Sequence, residues 1–283
     1  RPSFIFNKEK FKYHFNFGYK LTAAALLDTI YKNLYNILIG KVFSPTITGY
    51  YNQADTIRLL PVTHMATVLD KVTFPLFSSI TDDKQLKNAF KTTMKLAVFL
   101  SVPIMMYLIV MANEIFIFVL GEKWTPAVPY FQILGVSSII RPLHSYNLNI
   151  LKVKNRSDLF LRLEVVKKII GFVAILVSIP FGIMPLVYSY TISYYIMVLL
   201  NTYFSGKQIN YRMSEQLKDI SVLFVIGIVS SLVASFFNKF LILVPLSVFL
   251  RILFVGFAFL AVYIFLVFLF EKEVLLKIKN INK

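Results

Sequence analysis

From Val244 to Phe270 the sequence carries a single charged residue, Arg251, in an otherwise apolar stretch. A bilayer's hydrocarbon core is about 30 Å thick, and about 20 mostly apolar helical residues cross it. A stretch of this kind therefore reads first as a spanning helix. The rest of the chain agrees. It is 57% hydrophobic and only 16% charged, with a mean hydropathy of +0.69, whereas soluble domains carry about 25% charged residues. A soluble fold of 283 residues would have to hide more apolar side chain than its interior can hold. The fold class expected is an all-α polytopic membrane protein.

Eight segments qualify as candidate spans: about Phe15–Ile39, Thr46–Phe77, Met94–Leu120, Pro126–Leu151, Leu159–Ile179, Pro185–Phe204, Ile220–Phe237 and Val244–Phe270. The first and second are amphipathic and the fifth is polar at its start and apolar after Ile169, so each of the three could lie partly in the interface instead. The segments between them alternate in charge. One set holds Arg1, Lys8, Lys10 and Lys12; Lys84, Lys87, Lys91 and Lys95; Lys152, Lys154 and Arg156; Lys207, Arg212 and Lys218; and Lys272, Lys277, Lys279 and Lys283. The other holds Lys41, Lys123 and Lys239. Basic residues concentrate on the cytoplasmic side of membrane proteins, so both ends of this segment are expected in the cytosol. This placement also accounts for the net charge of +16. In a soluble protein that charge would suggest nucleic acid; here it suggests topology and contact with anionic lipid head groups. The basic stretch Ser205–Asp219 is the longest late hydrophilic break. It divides the chain into a six-helix lobe, residues 1–205, and a basic loop with a terminal helix pair, residues 206–283.

Several chemistries are excluded or disfavoured. The chain has no cysteine, which rules out disulfides, thiolate metal sites and cysteine nucleophiles. No GxSxG, GxGxxG or phosphate-loop motif occurs. His14, His64 and His144 share no metal-ligand spacing, although His64, in mid-span, could titrate. The pair Asp82-Asp83 could suggest divalent-metal diphosphate chemistry, but no second carboxylate motif accompanies it, and a solvated loop is the better reading. No cofactor or metal is expected.

Charged residues inside spans are costly and usually face a cavity or one another. The first span holds Lys20, Asp28 and Lys32 near one face, widened by Asn33, Tyr35 and Asn36. The second holds Asn52, Gln53, Asp55, Arg58, His64, Asp70 and Lys71, with Asp55 and Arg58 spaced to pair. Arg141 lies in the fourth, and Glu164 and Lys167 in the fifth. One reading is a hydrated cationic cavity lined by the first, second and fourth spans. It would attract a diphosphate, since Arg offers a forked donor set and Lys a point charge. The substrate-binding candidates are Lys20, Lys32, Arg58 and Arg141. The other reading is structural: Lys20 and Lys71, near helix ends, can snorkel, and Asp28–Lys32 can be a plain i,i+4 pair. Arg251 is expected to snorkel or to touch a neighbouring helix. Pro61, Pro103, Pro126, Pro142 and Pro180 can kink spans for movement or simply for shape.

Particular residues carry a family resemblance. They are Arg1-Pro2, Phe17-Gly18-Tyr19-Lys20-Leu21, Asn33–Lys41, Thr48-Gly49-Tyr50-Tyr51-Asn52-Gln53-Ala54, Leu59-Leu60-Pro61, Val72–Ser78 and Gly121-Glu122-Lys123-Trp124. Together they resemble Wzx-type polysaccharide or O-antigen flippases, proteins of lipopolysaccharide biosynthesis in the multidrug/oligosaccharidyl-lipid/polysaccharide exporter superfamily. The resemblance is densest from Phe15 to Asp83. It implies a MATE-like two-lobed transporter of which this chain is the second lobe plus the terminal pair. A start at Arg1 without methionine fits that expectation of a longer protein. The implied ligand is an undecaprenyl-diphosphate-linked oligosaccharide, moved from the cytoplasmic to the periplasmic leaflet of the bacterial inner membrane. Coupling to H⁺ or Na⁺ is implied, with Asp28 and Asp55 as candidates. The expected partners are this lipid-linked oligosaccharide, membrane lipids, and a polysaccharide polymerase or chain-length regulator. A drug exporter of the same superfamily, a membrane oligosaccharide polymerase and a structural subunit are the alternatives. The short outer segments Gly40–Pro45 and Gly121–Pro126 count against a polymerase.

Overall fold

A computed structural model describes residues 6–272 and 274, apart from the side chains of Ala66, Val68, Leu69 and Asp70. Asp70 as a buried charge, and Arg1, Pro2, Lys277, Lys279 and Lys283 in the sequence argument, thus lie outside the described residues. Among the described residues the chain forms ten α-helices, two 3-10 turns and no strand. The helices are α1 (Lys8–Val42), α2 (Pro45–Ser79), α3 (Asp83–Val110), α4 (Ala112–Leu120), α5 (Val128–Ile139), α6 (Arg141–Val153), α7 (Ser157–Ser178), α8 (Ile183–Gln208), α9 (Met213–Ile242) and α10 (Val248–Phe270).

Local sequence sets the helix ends. Asn7, Ser44, Asp82 and Ser247 each cap a helix by accepting a backbone N–H three residues on. Asp82 is thus a cap, and Asp83 begins α3 and pairs with Lys154. Asn155 and Asn210 adopt left-handed backbone, with φ of 53° and 50°, just past α6 and α8. The following amides bond back to Leu151 and Gly206 carbonyls at 2.8 and 2.9 Å, closing both helices in the Schellman manner. Gly121 and Gly182, at φ 88° and 103°, stop α4 and the turn after α7.

Among the described residues, four helices are long and apolar enough to cross a membrane: Asp83–Val110, Ile183–Gln208, Met213–Ile242 and Val248–Phe270. The chain is therefore a polytopic helical membrane protein. The segments expected as the third and fourth spans are each broken into two helices. The break between α5 and α6 has a plain cause. Pro142 has no N–H to give the Ser138 carbonyl, and Ile140 leaves the helical region at φ −89°, ψ 2°.

Alternate helix ends meet on one side of the molecule. There Lys154 pairs with Asp83, Lys87 donates to the Asn210 carbonyl at 2.7 Å, and Arg156 donates to Gln208 at 3.4 Å. Lys87, Lys91 and Lys95 follow one another at i, i+4 and i+8 along α3. They pair with Glu215, Asp219 and Glu271 at 2.8, 2.8 and 3.0 Å. Because both partners advance together in the first two pairs, α3 and α9 run parallel. Inward from this ladder the main core joins α3 to α9 and α10 through Met94, Val98, Val102, Leu223, Ile226, Val255 and Phe259. Tyr107 and Tyr263 donate across it to the Ile252 and Phe99 carbonyls at 2.6 and 3.1 Å. The terminal pair is docked on α3 and shares its core.

Candidate functional site

On the other flank, α1, α2, α6, α7 and α8 enclose a cavity of about 710 Å³. Its walls follow helical spacing. On α6 the lining residues are Arg141, His144, Ser145, Leu148 and Lys152, the i, i+3, i+4, i+7, i+11 set that shares one face. On α7 they are Phe160, Glu164, Lys167, Lys168, Gly171, Ala174 and Ile175, again spaced three and four apart along one face. Asp28, Tyr31, Lys32 and Tyr35 come from α1, Tyr51, Asp55 and Arg58 from α2, and Tyr190 and Tyr194 from α8. Toward the connection between α1 and α2 the cavity ends in tyrosines. The Tyr35 ring lies 5.9 Å from Tyr51 and 5.7 Å from Tyr190, backed by Ile39, Leu134, Ile183 and Leu186.

The lining carries six cationic side chains, Lys32, Arg58, Arg141, Lys152, Lys167 and Lys168, against three carboxylates, Asp28, Asp55 and Glu164. Each carboxylate is already paired. Asp55 pairs with Arg58 at 2.5 Å. Glu164 pairs with Lys167, and both are buried. Asp28 holds two ammonium groups, Lys32 at 2.6 Å and Lys168 of α7 at 2.5 Å.

Arg58 is 4% exposed. Its Nε donates to Asp55 Oδ1 at 2.8 Å, and Nη1 donates to the Ser137 and Ser138 hydroxyls at 3.3 and 3.1 Å. Nη2 donates to the Tyr190 hydroxyl at 3.2 Å, besides facing Asp55. The guanidinium thus donates four hydrogen bonds to protein acceptors and forms one ion pair. Arg58 therefore ties α2 to α8 and to the end of α5, one turn before the Pro142 break. Arg141 and Lys152 differ from it. Among the described residues neither makes a side-chain hydrogen bond or an ion pair; Lys152 only overlies the Phe160 ring at 5.5 Å. Eleven residues separate them, three helical turns, or about 16 Å along α6.

His144 stands between these groups, stacked on Tyr194 at 5.5 Å with Nδ1 3.1 Å from Asn201 Nδ2. With the amide nitrogen as donor, the imidazole accepts at Nδ1 and turns its other nitrogen away from Asn201.

Of the residues singled out from sequence, Lys32, Arg58, Arg141, Asp28 and Asp55 all line this one cavity. Lys20 does not; it stays near the start of α1 with its ammonium 5.8 Å from the Tyr19 ring. His64 and Lys71 are exposed on α2. Arg251 is half-buried in α10, and its Nε has no hydrogen-bond partner among the described residues. Sequence reading passed over Lys152 and Lys168 as cavity groups. Lys152 counted only toward topology, although its spacing from Arg141 was a usable signal. Lys168 had none, because its partner Asp28 is 140 residues away.

Residues 1–129 match the family described as polysaccharide biosynthesis protein. Over 159 residues the chain is 30% identical to the teichuronic acid biosynthesis protein TuaB of Bacillus subtilis (strain 168), covering 56% of this chain and 33% of that protein. Over 206 residues it is 25% identical to the lipopolysaccharide biosynthesis protein WzxC of Escherichia coli (strain K12), covering 72% and 41%. An uncharacterised membrane protein in the cps region of Klebsiella pneumoniae is 26% identical over 155 residues, covering 54% and 32%. The chain thus spans about a third to two fifths of the length of the curated relatives it matches. No solved structure matches it.

Proposed function

We propose, from the premise that this chain is a relative of the Wzx-type polysaccharide flippases, that it forms one half of a translocation pathway for a diphosphate-linked oligosaccharide lipid. The observation that carries the reading is the imbalance in the cavity. Three carboxylates are all satisfied internally, and Arg141 and Lys152 are left without an anion. Charged groups of this kind in a membrane protein mark a ligand pathway, and a diphosphate is the anion a forked guanidinium and an ammonium suit.

In this reading the chain is a transporter and not an enzyme. Eight segments cross the inner membrane, with residues 1–205 as a lobe and 206–283 as a pair docked on α3. The lysine-rich side, where α3 and α9 begin, faces the cytosol. The diphosphate meets Lys152 near that side and passes to Arg141 deeper in, while Lys32 keeps its pair with Asp28 and the prenyl chain stays in lipid. Movement is toward the periplasmic leaflet by alternating access, driven by an ion gradient through Asp28 or Asp55. Arg58 holds the wall and is not itself a phosphate ligand; Lys20 lies outside the path.

Complementation of a flippase-null strain with the full-length protein tests this. Arg141→Ala with Lys152→Ala should lower surface polysaccharide at least about tenfold, the loss of one good charge-assisted bond, at unchanged protein level. Full rescue by that double variant would remove the proposed pathway.

A further inference from the structure

The charge cluster between α1 and α7 contains one ammonium more than its carboxylates need. Lys32 sits 2.6 Å from Asp28 Oδ2, and Lys167 sits on Glu164. Those two pairs are complete without Lys168. Yet Lys168 Nζ lies 2.5 Å from Asp28 Oδ1, 3.9 Å from Glu164 and 4.8 Å from the Tyr31 ring centroid. It is the only residue of α7 joined to α1 by a hydrogen bond or ion pair among the described residues.

Position adds to this. The α6–α7 turn at residues 153–157 makes the two helices antiparallel neighbours, so residues equally far from it share a depth. Arg141 and Lys168 are about equally far. An anion held by Arg141 therefore arrives beside Lys168. The seam with α7 is the principal anchor of α1, which packs mainly against α7 and only slightly against α2. The contact is close there as well: a Cβ at Gly171 would fall 2.8 Å from Tyr31 Cζ.

We propose that Lys168 is an anion ligand whose resting partner is Asp28, and that a diphosphate ester of a polyprenol releases α1 from α7 by drawing this ammonium away. The exchange leaves no carboxylate bare, since Asp28 keeps Lys32. It gives the incoming diphosphate two cations, Arg141 and Lys168, from adjacent helices. The polar tie between α1 and α7 is lost at the same moment, so ligand entry and wall movement are one event. The inference rests on the anion-pathway reading above and adds the residue and the exchange through which that pathway responds.

The test uses full-length protein in nanodiscs, with nitroxides at Leu26→Cys on α1 and Val173→Cys on α7, both exposed positions. Distances are read by pulsed electron resonance, and binding of pyrophosphate and of farnesyl diphosphate is measured in parallel. Either probe should lengthen the α1–α7 distance, farnesyl diphosphate at the lower concentration. Asp28→Asn should show the longer distance with no ligand. Lys168→Gln should bind both probes about tenfold more weakly, the scale of one charge-assisted hydrogen bond, and lose the distance response; Lys168→Arg should retain it and so control for folding. Binding without any change in distance, or equal binding by Lys168→Gln, overturns the exchange and leaves the transporter reading standing. Failure of the wild type to bind either probe overturns both. A response to pyrophosphate but not to farnesyl diphosphate overturns the lipid ligand.

Discussion

Arg58→Ala should behave as a stability mutation, and Arg141→Ala as a transport mutation, although the two residues look alike in sequence. The Arg58 guanidinium donates four hydrogen bonds, to Asp55, Ser137, Ser138 and Tyr190, and is ion-paired with Asp55. Removing one partner of a buried ion pair costs about 3–5 kcal/mol, because the other charge is stranded. Here the stranded group is Asp55, whose side chain is 27% exposed to the cavity, so water offsets part of that cost and the low end, about 3 kcal/mol, is expected. The assay is reversible unfolding of the full-length protein in mixed micelles titrated with SDS. Asp55→Asn in the Arg58→Ala background removes the stranded charge, and the two changes should be non-additive by about 1–3 kcal/mol. Arg141→Ala should unfold like the wild type while failing to complement. The reasoning is refuted if Arg58→Ala leaves the unfolding midpoint unchanged and abolishes transport, since Arg58 would then be a ligand contact and not a tie between helices.

Two further outcomes test the arrangement around the cavity. Exchanging the charges of one rung of the ladder, Lys91→Asp with Asp219→Lys, should restore most of the roughly 1 kcal/mol lost by either change alone, read by the same unfolding titration; equal loss in the double variant would mean that α3 and α9 do not pair there. Because the chain has no cysteine, Lys123→Cys and Lys207→Cys can each be labelled alone in a full-length background made free of other cysteines. An impermeant maleimide on intact cells should reach position 123 and not 207, and labelling of both from the same side would contradict the proposed topology.

The membrane class was legible in the sequence because it depends on a sum. Apolar stretches such as Val244–Phe270 do not need a partner to declare themselves, and α10 follows that stretch closely. Broken helices were harder to see. The run from Met94 to Leu120 stays apolar through Met111, where the backbone turns to φ −95°, ψ 16°, and hydropathy is blind to a change of direction. Pro142 did mark its break, since a missing N–H is a local property. The cavity was half legible. Asp28, Lys32, Asp55, Arg58 and Arg141 were found because charge inside an apolar stretch is costly wherever it occurs. What each charge does depends on its partner, and partners come from other helices.

Arg58 and Arg141 show why that difference matters for function. Both are arginines inside segments expected to span the membrane, and both invite the same reading as phosphate ligands. The sequence already places Asp55 three residues before Arg58, within pairing distance on one helix, and that local pair is where the remaining acceptors converge. Arg141 has no carboxylate on its own face of α6, where His144, Ser145, Leu148 and Lys152 follow it. A cation that must cross the cavity to find a counter-ion is the one left free to take an anion from outside, so the separation of like charges from their nearest carboxylates sorts ligand from scaffold better than depth in the membrane does. Lys168 is the instructive intermediate. It has a counter-ion, but one shared with Lys32, and a shared carboxylate can release one of its two cations without being left unpaired.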